Sequence, residues 1–317
     1  MSDMERFAAV DVGSNSVRSL VVAVRHERMV RVDSSAQITR LAEGLRGEKA
    51  IVSPEVLERT LREVRARKRR LDVLDVPRSR RFFFATEGLR AATNAAEIRE
   101  RLEDSLGVPL RILSGTEEGR YSFLGARTAF PDASPVFDLG GGSLEIADSR
   151  DVLSLPLGVV RLTNQFGEDH SRMKAHVWSA LDSLDSTFGC SMISCPVGIG
   201  GTSSTLCMVL RKIPVTAYTP EMLHGHRVSL GDVVALREHY ANMSREKQRG
   251  MIGMDPRRAP VFAAGLLVLE TLLERWRQPA YVHSEGDLLW GILAEASRAA
   301  GYAAREAVFQ VGQGSGA

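Results

Sequence analysis

Val10-Asp11-Val12-Gly13-Ser14-Asn15-Ser16-Val17-Arg18 and Phe137-Asp138-Leu139-Gly140-Gly141-Gly142-Ser143-Leu144-Glu145 read as one motif written twice, 127 positions apart (138 − 11). In each, an apolar β-type run ends in an aspartate, a turn of small residues follows, and a second β-type run leaves. Leu20 to Val24 continue the first copy, and Ile146 and Ala147 the second. Glycine admits positive φ and carries no Cβ, so successive N–H groups at such a tip can point at phosphate oxygens, while the aspartate can hold a divalent cation. A single glycine-tipped hairpin is explained equally well by the sterics of a tight turn. Two copies with Asp, Gly and Ser at the same offsets point instead to two homologous half-domains facing a phosphate chain. Neither G-x-x-x-x-G-K-[ST] nor G-x-G-x-x-G occurs, which disfavours the P-loop and Rossmann alternatives.

The rest of the chain fits an α/β duplication. Apolar periodicity places helices near 95–105, 117–129, 169–187, 203–211, 230–241, 258–276 and 285–307. Strands fall near 7–12, 17–25, 29–37, 80–85, 109–113, 135–139, 143–148, 152–155, 193–199 and 280–283. The 317 residues accommodate two domains, expected at 1–130 and 131–310, with a frayed tail at 311–317. Apolar content of 44% and charged content of 25% are those of a soluble globular protein. The apolar run from Val261 to Leu269 is too short to span a bilayer, and no signal-peptide pattern opens the chain, so a cytoplasmic location is expected. Cys190, Cys195 and Cys207 have neither zinc spacing nor an even count, as reduced thiols would. A net charge of +2 gives no overall sign of nucleic-acid binding. Locally, Arg62, Arg65, Arg67, Lys68, Arg69 and Arg70 crowd one helical stretch, which reads either as a solvated face or as a track for a long polyanion.

Seven stretches occur in the order seen in the exopolyphosphatase / guanosine pentaphosphate phosphatase family, which this chain resembles from about residue 7 to 295. They are Ala9 to Ser16, Ala85-Thr86-Glu87-Gly88-Leu89-Arg90 with Asn94, Leu113-Ser114-Gly115-Thr116-Glu117-Glu118, Phe137 to Glu145, Gly198-Ile199-Gly200-Gly201-Thr202, Leu223-His224-Gly225, and Arg258 to Gly265. The resemblance implies the fold of the actin, sugar kinase and Hsp70 ATPase superfamily: two ribonuclease-H-like domains with a cleft between them. It implies removal of terminal phosphate from inorganic polyphosphate, or of the 5′ phosphate of pppGpp. Magnesium is the implied cofactor, with manganese as a substitute. Longer members carry further C-terminal helical domains, one of the HD type; this chain has no His-Asp dipeptide and resembles the short, two-domain members. A homodimer acting on polyphosphate or guanosine penta- or tetraphosphate, away from membranes and nucleic acid, is the expected assembly. A superfamily kinase or ATPase, and a polyphosphate- or (p)ppGpp-binding regulator without turnover, are the other classes open to these motifs.

Carried over residue by residue, the resemblance makes Glu118 the base that orients and deprotonates the attacking water. Without it, Glu117 and Glu118 are simply first-turn acids favoured by the helix dipole. Asp138 and Glu145 are the expected metal side, with Asp11 sharing the ion. Ser14, Asn15, Ser16, Gly140, Gly141, Gly142, Ser143, Gly200, Gly201 and Thr202 are the expected N–H and hydroxyl contacts to phosphate, and Arg90 the fixed cation. His224 reads as a packed, hydrogen-bonded histidine outside the chemistry. The chain departs from the family's usual residues at Glu87 and Gly88, at Gly119, at Leu144, where a threonine is usual, and at Ser284 to Gly291. That last stretch, Leu289 included, lacks the arginine and the glutamate familiar in the family.

Overall fold

The computed structural model describes residues 5–43, 45, 50–188 and 196–309; Cys190, Cys195 and the 311–317 tail lie outside these. The chain divides into two compact units, one formed by residues up to Pro131 together with those from Gly286 on, the other by Asp132–Glu285.

In the first unit, β1 (Glu5–Val12), β2 (Ser16–Arg25) and β3 (Arg28–Ile38) form an antiparallel meander. After α1 (Pro54–Val73), β4 (Arg81–Ala85) lies parallel to β1; after α2 (Glu87–Arg90) and α3 (Ala95–Leu106), β5 (Arg111–Ile112) lies parallel to β4. Helix α4 (Gly115–Ala129) follows.

The second unit repeats the plan. Strands β6 (Val136–Leu139), β7 (Leu144–Ala147) and β8 (Val152–Leu155) form the meander. Helices α5 (Val159–Phe166), α6 (His170–Ala180) and α7 (Ser183–Phe188) lead to β9 (Val197–Ile199), parallel to β6. Then come α8 (Gly200–Leu210), α9 (Pro220–Leu223), β10 (Arg227–Ser229), α10 (Leu230–Ala241), α11 (Arg245–Arg249), α12 (Ala259–Trp276) and β11 (Ala280–His283), parallel to β9. The chain returns to the first unit with α13 (Leu288–Ala299) and β12 (Glu306–Val308).

Both sheets therefore share one core order, β3-β2-β1-β4-β5 and β8-β7-β6-β9-β11, extended by β12 on one and β10 on the other. Strands β1 and β2 are apolar almost throughout because both faces of their sheet are covered. Alternate residues serve opposite layers: Ala8, Val10, Val12, Val17 and Val21 pack with Leu57, Leu61 and Val64 of α1 and Ile98 and Leu102 of α3. Phe7, Ala9, Leu20, Val22 and Val24 pack with Leu288, Leu289, Trp290, Ile292 and Leu293 of α13. That second layer corrects the expected boundary. Residues 286–309 do not close the second domain but join the first, where α13 packs with Tyr121 and Leu124 of α4 against the apolar face of β1 and β2. The helix expected over 285–307 accordingly stops at Ala299, and Glu306–Val308 form an edge strand on β3.

Helices α4 and α13 meet backbone to backbone. A Cβ on Gly125 would fall 1.8 Å from the Asp287 carbonyl oxygen, and one on Gly291 would fall 1.9 Å from that of Tyr121. No side-chain rotation relieves a clash with a helix backbone, so Gly291→Ala is expected to destabilise the fold by about 1–3 kcal/mol. A thermal melt lowered by several degrees is the expected result, and an unchanged melting temperature would refute this account of the crossing.

Candidate active site

The two hairpin tips are built alike. Gly13 N–H donates to the Ser16 carbonyl at 3.0 Å, and Gly140 N–H donates to the Ser143 carbonyl at 3.0 Å. The next segment takes up the tip carbonyls in both cases. Ser14 O accepts from Ala42 N–H at 2.9 Å, and Asn15 O accepts from Thr39 and Arg40 N–H at 3.0 and 2.9 Å. In the second unit, Gly140 O accepts from Val159 N–H at 3.0 Å, and Gly141 O from Val160 and Arg161 N–H at 2.8 and 3.1 Å. With the carbonyls engaged on one side, the N–H groups of Ser14, Asn15, Gly141 and Gly142 donate to no partner among the described residues. Successive unengaged amides of this kind suit an anion.

What differs is the residue opposite the aspartate. In the strand register, Asp11 faces Arg18 and Asp138 faces Glu145. Arg18 donates to Asp11 Oδ2 through Nη2 at 2.9 Å and Nε at 3.1 Å, and to Asp287 Oδ2 through Nη1 at 2.7 Å. Burial pushes the Asp11 carboxyl above the ordinary carboxylate range, with Arg18 pulling the other way. Its Oδ1 is buried without a hydrogen-bond partner, as is Asn15 Oδ1. The matching position of the second unit sets two carboxylates directly across a strand pair. Like charges so placed repel unless a cation lies with them. Glu145 is 3% exposed, and its Oε1 accepts from Ser154 Oγ at 2.8 Å.

Gly200, at φ +86°, brings the start of α8 against Asp138, where a Cβ would lie 2.3 Å from Oδ1. The neighbouring Gly201 lies beneath the Arg258 guanidinium, whose Nη1 would be 2.2 Å from an added Cβ. Asp138, Glu145, the Gly140–Ser143 tip, the α8 N-terminus and Arg258 thus share one end of the second sheet. Thr202 departs from its expected role: its hydroxyl donates to the Leu139 carbonyl at 3.2 Å, tying α8 to β6. All the donors of the Asp138–Glu145 pair are hard carboxylate oxygens, which suits magnesium. No group of three His, Cys, Asp or Glu able to hold a metal occurs among the described residues, and magnesium commonly takes only one or two carboxylates beside water and substrate oxygens.

The Glu117-Glu118 pair divides its work. Ser114 and Glu117 form a reciprocal cap on α4: Glu117 N–H donates to Ser114 Oγ at 3.2 Å, and Ser114 N–H donates to Glu117 Oε2 at 2.8 Å. Glu118, one position on, is 8% exposed and accepts from Arg90 Nη1 at 2.5 Å. The same Arg90 nitrogen donates to the Leu113 carbonyl. Arg90, expected as the fixed cation on the phosphate chain, holds Glu118 through this nitrogen.

Three of the six cations in the basic stretch of α1 are ion-paired. Arg67 pairs with Glu63 at 3.1 Å, Arg70 with Asp33 at 2.7 Å and Arg65 with Glu58 at 4.0 Å, while Lys68 donates to the Ser105 carbonyl at 3.3 Å. For those three arginines the pattern is that of a solvated, ion-paired face. Sequence reading missed Arg18, Asp287 and Arg258. Arg18 could have been found, since it stands at the position of Glu145 when the two motif copies are superposed.

The chain has the actin-like ATPase fold, matched by the Aquifex aeolicus Ppx/GppA structure at a TM-score of 0.76 and 25% identity over 94% of this chain and 99% of that one. It belongs to the Ppx/GppA phosphatase family, whose model matches residues 20–298. Exopolyphosphatase 2 of Mycobacterium tuberculosis is 28% identical over 91% of this chain and 98% of its own length. The bifunctional 3-dehydroquinate synthase/phosphatase of Fusobacterium nucleatum is 25% identical over 91% of this chain, which spans 46% of that protein.

His224 is packed, as the sequence suggested. Its Nδ1 accepts from Glu285 N–H at 3.3 Å, and burial, reinforced by His283, holds its pKa down to about 4. Unfolded chain binds a proton here below its ordinary value of 6.5, whereas native protein does not until about pH 4. The stability this site contributes is therefore present above pH 6.5 and lost as pH falls towards 4. Denaturant titrations at pH 7 and pH 5 are expected to show a smaller difference for His224→Gln than for the parent chain; an equal difference would contradict the assignment.

Proposed function

We propose that this phosphatase-family chain is a magnesium-dependent phosphoanhydride hydrolase that releases terminal phosphate from inorganic polyphosphate, and secondarily the 5′ phosphate of pppGpp. The observation that carries the reading is Glu118. Its neighbour Glu117 is consumed by the helix cap, while Glu118 is turned inward and clamped by Arg90, an arrangement that helix stability does not require. The name of the M. tuberculosis relative supports polyphosphate as the substrate class.

In this reading Glu118 accepts a proton from water as its oxygen attacks the terminal phosphorus. The phosphoanhydride P–O bond breaks, and the shortened chain leaves with the electron pair. Such a transition state is loose and needs positioning and charge stabilisation more than covalent help. Arg90 acts as a positioning residue, fixing the carboxylate so that one oxygen faces the water. The unengaged amides of Ser14 and Asn15 in the first unit, and those of Gly141 and Gly142 in the second, are donors suited to phosphate oxygens, and Arg258 at the α8 N-terminus is a cation beside the second tip. Asp138 and Glu145 would hold magnesium, which supplies positive charge against the phosphate oxygens when bound. Asp11 has its own counter-ion in Arg18, and the proposal leaves it outside the metal set. Reduced thiols in an odd number support a cytoplasmic setting.

Glu118→Gln is expected to cut phosphate release from tripolyphosphate at least about a hundredfold while changing affinity only a few-fold, because the clamp stays and the base is lost. Release at the parent rate would sink the assignment, and tight binding without turnover by the parent chain would favour a polyphosphate-binding regulator. For the metal, Asp138→Ala is expected to raise the magnesium concentration for half-maximal rate by an order of magnitude or more. Equal rates in EDTA and in magnesium would remove Asp138 and Glu145 from that role.

A further inference from the structure

A chain of buried polar side chains runs from β11 to the start of α8. Ser203, the fourth residue of that helix, places its hydroxyl 2.8 Å from His283 Nδ1 and 3.0 Å from the Tyr281 hydroxyl. His283 Nε2 lies 2.9 Å from Glu285 Oε1, and Tyr218 donates to Glu285 Oε2 at 2.7 Å. Ser203, Tyr281 and His283 are all fully buried. Burial holds the Tyr281 hydroxyl well above its ordinary pKa, so it keeps its proton. Counting donors then assigns one proton order, with Glu285 a carboxylate: Tyr281 donates to Ser203, Ser203 to His283 Nδ1, and His283 Nε2–H to Glu285. A second proton on the imidazole would reverse the first two bonds and strand the Tyr281 proton without an acceptor among the described residues. The order is that of a Ser-His-Glu triad, but a hydroxyl sealed from solvent is no nucleophile.

Helix α8 begins without a side-chain cap, since the residue before it is Ile199. A capping hydroxyl or carboxylate would occupy the donors that an anion uses at a helix start. The first turn is fastened by its own side chains instead, Thr202 to β6 and Ser203 to β11. In that same turn Gly200 lies against Asp138 and Gly201 against the Arg258 guanidinium, so a tilt of the helix start would displace it from both. We propose that Ser203 and His283 are positioning residues for phosphate binding: the chain Tyr281–Ser203–His283–Glu285 fixes the uncapped start of α8 beside Asp138 and Arg258. A buried polar chain adds little net stability, but its hydrogen bonds fix direction as apolar contacts do not. The inference rests on the phosphate-hydrolase reading above, but it concerns the holding of the ligand and not the chemical step.

Steady-state rates on tripolyphosphate test it, together with calorimetric titration of the same ligand in the Glu118→Gln background, where nothing turns over. Ser203→Ala removes the hydroxyl and leaves a good helix former. It is expected to raise KM and Kd about three- to tenfold while kcat stays within about twofold. His283→Asn keeps an acceptor for Ser203 in the place of Nδ1, and its KM and Kd are expected to lie nearer the parent's than those of His283→Phe, which offers none. A chain that served stability alone would lower the melting temperature of these variants and leave KM and Kd at the parent values. That result overturns the proposal, as does a loss confined to kcat. Should His283→Phe fail to fold, Ser203→Ala and His283→Asn carry the same comparison. If the parent releases phosphate and Ser203→Ala binds as the parent does, this inference alone fails. If the parent neither binds tripolyphosphate nor releases phosphate from it, the hydrolase reading and this inference fail together.

Discussion

The residue across the strand pair from the motif aspartate governs the chemistry available to each half of this protein. A β-register admits only one direct neighbour on a given face, so the aspartate next to last in the first strand of each unit meets whatever the second strand carries at the paired position. Where that neighbour is Arg18, the charge is cancelled internally and the arginine reaches on to Asp287, at the start of α13. Where it is Glu145, two acids face each other across the strand pair. One backbone plan thus sets an acid–base pair in one half and an acid–acid pair in the other. A buried ion pair of the Arg18–Asp11 kind adds little net stability once desolvation is counted, while removing one partner leaves a costly buried charge. Its plainer contribution is to tie the N-terminal strand pair to the C-terminal helix.

Backbone approach is the second theme. The tips can offer bare amides because their carbonyls are turned away and satisfied by the following segment, and an unsatisfied carbonyl beside an anion would oppose binding. The α4–α13 crossing shows the same reliance on absent side chains, there to let two helices share the apolar face of the first sheet. Around Glu118, the local chain and the tertiary fold divide the labour between adjacent acids: the helix start needs only Glu117, which frees Glu118 to be held by Arg90 from another element.

Much of this was legible in the chain. The meander of each unit appears as runs of strand-forming residues broken at Gly13 to Asn15 and Gly140 to Gly142, and most strand and helix limits fall within a few residues of those read from periodicity. Helices such as α5 and α11 escaped notice because they are one or two turns long and too short to display a period. The extended helix read over 285–307 shows the opposite failure. Apolar periodicity does not reveal that Gly301 at φ +90° lets the chain turn and pair with β3.

By itself, the sequence determined the duplication, the paired tips and the identity of the acids, since these depend on residue type at short spacing and on local backbone preference. Only the tertiary structure decided which of those groups are engaged with one another. Arg90 reads only as a cation for phosphate until α4 is packed beside α2 and Glu118 meets it. The Thr202 hydroxyl is seen to tie α8 to β6 only once Leu139 is placed under it, and the ion pairs of Arg65, Arg67 and Arg70 only once Glu58, Glu63 and Asp33 come alongside. Pairing energies fall off steeply with distance and burial, so the role of a charged side chain is set by neighbours that lie far away along the chain and meet it only when the sheets and helices close.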